Sequence, residues 1–523
     1  MKHRFLTFII ILASTHFISA QVAGNPDSTF NGTGIVTTDI TNNHDHPTAL
    51  AIQPDGKIVL AGSTYTGYFM VDPGDLALAR YNTDGSPDNT FGTNGTVVTD
   101  LGGFDYALNL KIQTDGKIVV CGTMDHEFLV ARYNSNGTPD NSFGASGKTV
   151  VDMSPGNAYG NIAFDLAIQP DGKIIAAGYS SPVYDDDFAL IRLNSDGTLD
   201  NTFSGDGMLN ADLGGNEYGN ALALQPDGKI IMVGNQLNNS SDVAVARFNA
   251  DGTFDNTFGN GGIVITDVFG SDDEGTNVLV QDDGKILVIG DAYNTTALID
   301  LLLIRYNADG TPDNTFGGGD GIATSDVMNN AYAWGTAAVI QPDGKIVATG
   351  YRSPPNSFAY DFGTARFSAD GILDPTFGTN GWVVTDVGTQ DNQAYDVALQ
   401  DDGKVVIAGV ANILGDEDFV VVRYINDLNI GIDEINPFSS IQSYPNPASD
   451  AAIISFELKD AGNLKLSLYD EEGRSYYTVR EGNLSAGKLQ LQLNFPSQLT
   501  SGFYYLRLST ANGNAVVPVV IER

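Results

Sequence analysis

Short apolar runs bounded by turn residues recur along most of the chain. The first set is Ala49–Gln53, Lys57–Gly62, Leu76–Asn82 and Thr96–Asp100. Each has the length of a strand and none has the length of a helix. Lys57–Gly62 and Leu76–Asn82 are nearly continuously apolar, which fits strands covered on both faces. Pro54-Asp55-Gly56 joins the first two runs, and Asp-Gly between apolar runs is a strong hairpin signal. The longer turn Thr83–Gly95 is rich in Asp, Asn, Pro and Gly. No stretch shows the 3.6-residue period of an amphipathic helix. Beyond Gln442 the pattern changes. Six strand-like runs, among them Ala452–Leu458, Leu464–Tyr469, Leu489–Phe495 and Phe503–Leu508, alternate polar and apolar residues. That predicts a small Ig-like β-sandwich with one wet side per sheet.

The strand pattern is periodic. Q-x-D-G-K occurs seven times, with its first glycine at Gly56, Gly116, Gly172, Gly228, Gly284, Gly344 and Gly403, so the period is 56–60 residues. A second motif, as in Ala79–Gly85 followed by Pro87-Asp88-Asn89-Thr90-Phe91-Gly92, recurs around Arg132, Arg192, Arg247, Arg305 and Arg366. A third ends at Asp100, Asp152, Asp212, Asp267, Asp326 and Asp386. Four antiparallel strands per unit (a, b, c and d), repeated seven times, predict a β-propeller, with a linear β-solenoid as the alternative. The seventh unit stops near Asp427 without its D-N-T-F-G turn and strand d, while Pro26–Phe30 and Ile35–Asp39 supply a turn and a strand of that kind. The expectation is a closed ring in which Ile35–Ile40 pairs with Phe419–Arg423. The fold class is therefore all-β: a seven-bladed propeller closed by an N-terminal strand, then the sandwich.

The Q-P-D-G-K turn and the R-[YF]-N-x-D-G-x-x-D-x-T-F-G run, recurring in register over about residues 22–427, resemble the delta-60 repeat family. Asn136 and Ser204 are local departures from it. The resemblance implies a secreted or surface β-propeller and brings no catalytic residues. Tyr444-Pro445-Asn446-Pro447, the Leu468-Tyr469-Asp470 to Gly473-Arg474 turn and the Leu499 to Tyr504 segment are similar to the type A C-terminal sorting domain of the type IX (Por) secretion system. That implies Sec export, passage through the outer membrane, contact with the type IX machinery, and a final place outside the cell or on its surface. Lys2 and Arg4, the apolar run Phe5–Ala13 and Ser19-Ala20 read as a cleaved signal peptide. The expected divisions are 1–20 signal peptide, 21–427 propeller, 428–442 linker and 443–523 sorting sandwich. No other segment has the ~20 apolar residues of a membrane helix, and the mature chain is expected to be a monomer.

Charge narrows the partners. The chain has 523 residues, with 64 acidic against 26 basic side chains and a net charge of -38. Nucleic acid is excluded, because phosphate recognition needs a basic surface. One cysteine, Cys121, excludes a disulfide framework within the chain and reads as a small core residue. Residues 440–523 hold eight acids and seven bases, so the excess lies in the repeats. Many of those acids occupy repeated positions, including one five residues before each strand c arginine (Asp75, Glu127, Asp187, Asp242, Asp300, Asp361, Asp418). The expectation is a ring of arginine ion pairs tying adjacent strands.

Binding is expected on the face that carries the b–c loops and the d-to-a crossovers, because these vary while the a–b and c–d turns repeat. Candidate ligand contacts there are Tyr106, Tyr159, Tyr218, Trp334, Tyr351, Tyr395 and Asp186, an aromatic and carboxylate set suited to carbohydrate or another surface macromolecule. Two calcium candidates stand out: Asn82, Asp84 and Asp88, which offer oxygens around a glycine turn, and Asp272-Asp273-Glu274. His44 and His46 are a weaker transition-metal candidate. No catalytic triad or phosphate loop is visible. The reading is a non-catalytic binding or adhesion protein. The alternative is a polysaccharide hydrolase or lyase using carboxylates on the variable face.

Overall fold

The computed structural model describes residues 23–155, 160–182, 185–294, 298–325, 331–355, 357, 359–388, 390–413, 415–426, 438–458, 461–469, 475–496, 499–510 and 513–523. The signal-peptide segment and Tyr159 lie outside them. The chain divides into two compact units, Met1–Asp427 and Leu428–Arg523.

The first unit contains seven four-stranded antiparallel sheets. In the first, strands a to d are His44–Ile52, Ile58–Tyr65, Gly74–Tyr81 and Thr96–Thr99. Strand b is buried along its whole length, as its unbroken apolar run requires. The seventh sheet takes its outer strand from the start of the chain. Ile35–Thr38 lies antiparallel to Asp416–Tyr424, with Ile35 opposite Val422 and Thr38 opposite Phe419. This seventh sheet packs on the first: Leu60 and Ala77 share a core with Val406, Phe419 and Val421. Asp396 Oδ2 accepts the Leu50 amide at 2.8 Å across the same seam.

Strand a begins earlier than the apolar run suggested, at His44, and contains a bulge. The register skips one residue between Pro47 and Ala49, and at the same place in the other six sheets. The bulged threonines reach the next innermost strand. Thr48 Oγ1 donates to Ala107 O at 3.0 Å and Thr276 Oγ1 to Gly335 O at 2.7 Å. Beside each bulge strand b has a glycine. A Cβ on Gly122 would sit 1.8 Å from Tyr106 O, and Gly62, Gly178, Gly234, Gly290, Gly350 and Gly409 face similar carbonyls. Glycine here is required by the close backbone approach at the bulge.

On one face the blades are joined by buried arginines. Arg80 Nε donates to Asp88 Oδ2 at 2.8 Å, and Lys57 Nζ reaches the same oxygen at 3.0 Å. The guanidinium lies 4.5 Å from the Phe91 ring centroid, a cation–π contact, and Arg80 Nη1 donates to Ser135 O in the next blade. The arrangement repeats in every blade. In the seventh, Arg423 meets Asp27 at 3.0 Å and Phe30 at 4.5 Å, both from the N-terminal segment, and bonds Thr83 O of the first blade. Burial alone would raise the Asp88 carboxyl, but Thr90, Lys57 and Arg80 outweigh it and hold it well below the carboxylate range.

The expected ring of arginine ion pairs forms, with the turn aspartate as the acid, and the acids five residues before each arginine take no part in it. Those acids cluster with other acids on the opposite face. Carboxylate oxygens of Asp75, Asp100 and Asp105 lie within 4.8 Å of one another, as do those of Asp242, Asp267 and Asp273, and of Asp39, Asp45 and Asp418. Each group joins the start of strand c, the end of strand d and the start of the next strand a. Burial, then neighbouring acids, pushes Asp105, Asp273 and Asp418 up to about 6. In one blade an acid of this set does meet a base: Arg352 binds Asp361 at 3.0 Å.

The second unit has two antiparallel sheets. One orders Phe438–Tyr444, Ala451–Leu458 and Gly487–Asn494. The other orders Ser475–Leu484, Gly462–Tyr469, Gly502–Thr510 and Gly513–Ile521. Alternation places Ala452, Ile454, Phe456 and Leu458 in the core with Leu464, Leu466 and Leu468. The strand Phe438–Tyr444 begins inside the stretch read as linker, and Ile441 packs against that core. Among the described residues no helix is long and apolar enough to cross a membrane.

Two outcomes are expected. Asp27→Ala leaves Arg423 buried with its main partner gone and should cost about 3–5 kcal/mol in denaturant unfolding. Asp84→Ala, in an exposed turn, should leave the denaturant midpoint close to that of the wild type. The pH profile should also be unusual. The arginine-paired aspartates, depressed in the fold, contribute stability above their unfolded pKa and lose it as pH falls through the folded one. The clustered acids, raised in the fold, contribute below their unfolded pKa and lose it as pH rises through about 6. In chelator, the propeller's melting temperature should peak at about pH 4–5 and fall toward pH 8.

Candidate functional site

Strand ends fix the variable face. The b–c loops and the crossovers into each strand a meet there. Between the second, third and fourth blades these segments enclose an open cavity of about 530 Å³. Tyr106, Phe104 and His126 line one side, and Tyr179, Tyr218 and Asp186 the other. Tyr179 and Tyr218 meet edge to face with centroids 5.1 Å apart, and Phe104 stacks on His126 at 5.6 Å. Asp186 accepts the Ser181 hydroxyl. It also bonds Tyr218, which together with burial pushes that phenol up to about 12. Burial raises Tyr106 to about 12 as well, and its hydroxyl donates to Asp72 O. At neutral pH both tyrosines keep their protons, so Tyr218 presents a face and a polar edge to the cavity.

The structure thus brings Tyr106, Tyr218 and Asp186 together. Trp334 and Tyr351 form a second group, stacked at 5.0 Å, with Tyr360 edge-on to both at 5.6 and 5.5 Å. Tyr395 lies 4.9 Å from His46 and its hydroxyl donates to Gln393. His46 in turn stacks on Phe69, itself edge-on to Tyr106 at 5.1 Å. Sequence reasoning had not linked His46 and Tyr65 to Glu417. Tyr65 donates to Glu417, and His46 Nδ1 lies 3.2 Å from it, across 371 residues of chain. Only ring closure brings them together.

The calcium candidates fare differently. The Asn82 amide is spent on Ser86 and Pro87, and Asp84 Oδ1 accepts the Ser86 amide and hydroxyl. Asp88 has Thr90 on one oxygen and Arg80 with Lys57 on the other. Both Asp88 oxygens are thus engaged within the fold. Asp272, Asp273 and Glu274 diverge as alternating strand residues must. Asp272 accepts the Ser241 amide, Asp273 joins Asp242 and Asp267, and Glu274 accepts from Asn220. Glu274 lies opposite Asp291 in the strand pair, and burial, then Glu274 and Asp273, holds Asp291 well above the carboxylate range. His44 and His46 point to Asp416 and Glu417 rather than to each other's site, while His126 belongs to the cavity. Cys121 is buried and free.

Comparison with known proteins places these parts. Residues 53–91, 113–143, 169–203, 225–258, 281–316, 341–377 and 400–430 match the family described as domain of unknown function (DUF5122) beta-propeller. Residues 442–522 match the secretion system C-terminal sorting domain. No curated protein matches the sequence. Among solved structures, a virginiamycin B lyase from Staphylococcus aureus is 11% identical at a TM-score of 0.40, over 74% of this chain and 98% of that one. A PL25 ulvan lyase is 12% identical at 0.42, over 75% and 96%. PorZ of the type IX secretion system of Porphyromonas gingivalis is 9% identical at 0.29, over 89% and 68%. These likenesses do not reach beyond architecture. The chain is built of seven DUF5122 β-propeller repeats followed by a secretion-system C-terminal sorting domain, which marks it for export through the type IX system to the cell surface or beyond.

Proposed function

We propose that this is an exported binding protein whose variable propeller face takes carbohydrate in the cavity between Tyr106, Tyr179 and Tyr218. One observation carries the reading: two aromatic faces, a carboxylate held by Ser181 and Tyr218, and an exposed imidazole converge on one open cavity of ligand size. Sugar rings offer apolar faces to aromatics and hydroxyl donors to carboxylates. The net charge of -38 repels polyanions and favours neutral or cationic occupants. The scaffold suits the task, since the repeated turns on the other face are tied to one another and the cavity is built from segments free to vary.

A second reading, a glycan-cleaving enzyme, rests on Glu274 and Asp291. They face each other across strands a and b, and burial, then Glu274 and Asp273, holds the second carboxyl well above the carboxylate range beside the Trp334–Tyr351 platform. A protonated acid beside a second carboxylate is the pairing glycoside hydrolysis uses.

The two readings separate in one set of measurements. On a glycan array followed by calorimetry, the wild type should bind a glycan, and Tyr218→Ala should weaken it about tenfold or more. Trp334→Ala should leave that affinity unchanged. Unaltered binding by Tyr218→Ala would remove the cavity from consideration. Turnover of a bound polysaccharide that Glu274→Gln abolishes would favour the enzyme.

A further inference from the structure

The acid clusters lie on the variable face but belong to neither site above. Their repetition, at the same three positions of several blade seams, separates them from a general acidic surface. We propose that Asp242, Asp267 and Asp273, and in the equivalent seam Asp75, Asp100 and Asp105, each hold a calcium-type hard divalent cation.

The geometry fits. Within each group one carboxylate oxygen from each residue lies within 4.8 Å of the others. Ligands at the ~2.3–2.6 Å of a calcium–oxygen bond are separated by no more than about 5 Å. A second observation points to a ligand. Asp105 and Asp273 are 0% and 1% exposed, yet Oδ1 of each accepts no hydrogen bond among the described residues. Their Oδ2 atoms are satisfied by the Leu101 and Val268 amides, so Oδ1 is the oxygen left for the cluster. Buried polar atoms of folded proteins nearly always have a partner, and an ion is one explanation for an orphan. Without a cation, three carboxylates at this spacing repel one another. Lys148 acts on Asp105 electrostatically, and its ammonium lies 3.4 Å from Leu101 O.

A cation in the Asp75–Asp100–Asp105 seam would fix the crossover 101–104, which carries Phe104 and leads into Tyr106. It would thus brace one wall of the cavity. Both oxygens of the Asp88-type turn carboxylates are occupied, so this seam and not the glycine turn is where an ion can enter.

The test is equilibrium dialysis of the exported chain against radioactive calcium at pH 7.5 in 150 mM salt, with thermal melts in calcium and in chelator. The wild type should retain more than one ion per chain, with affinity of about 10⁻⁴–10⁻³ M as for extracellular modules, and should melt higher in calcium. Asp267→Asn, at an exposed position, should fold normally and bind one ion fewer. Asp273→Asn should also bind one fewer, and in chelator should melt above the wild type because a buried charge has gone. No retained calcium, or an unchanged ion count in Asp267→Asn, would overturn the proposal.

Discussion

The buried arginine at the end of each strand c is the contact on which the first unit depends. In Arg80 and its six equivalents one side chain meets four demands. It neutralises the turn aspartate, covers a phenylalanine ring, bonds a carbonyl of the following blade and, with the lysine of the a–b turn, holds two turns of its own blade together. A planar fork with five donors can do this and an ammonium cannot. Removing one partner would leave a charge in a dry place, so the whole node must be kept or lost together. Hence the c–d turn reads almost identically seven times, and the start of the chain must return to complete the seventh node with Asp27 and Phe30.

That commitment on one face decides what is free on the other. Nearly all the basic residues of the repeats are used in the nodes. Few cations are left for the acids at the opposite ends of the same strands, and in several seams those acids face one another. The propeller thus contains two populations of aspartate with opposite behaviour. One is held ionised by arginine and lysine, the other pushed toward protonation by burial and like charge. The aromatic cavity lies among the second population, where loops are not tied down by the nodes.

Much of this was legible in the sequence because it depends on local or repeated chemistry. Asp-Gly turns, apolar runs and register gave strand number and blade count. The complementary ends gave the Ile35–Thr38 pairing, and alternation gave the core of the second unit. Which acid each arginine meets was not legible from spacing alone, although strand geometry separates Asp75 from Arg80. Five residues of strand span about 17 Å, so the two side chains sit at opposite ends of strand c. The true partner, Asp88, is farther in sequence but returns through the turn. The strand a bulges were missed too, since one extra residue leaves no mark in a composition of small and polar residues, although the strand b glycine facing it recurs in all seven units.

The sequence by itself determined the repeat, the strands, the closure of the ring, the identity of the exported C-terminal unit and the face on which variation is allowed. These follow from short-range propensities and from periodicity, which need no coordinates. The tertiary structure alone decided which side chains meet. It brought Tyr106 to Tyr218, Glu417 to His46, and the ends of strands c and d to the next strand a. Such contacts join blades roughly 60 or several hundred residues apart. Their distances are set by how twisted sheets pack around a ring, and no local pattern encodes that.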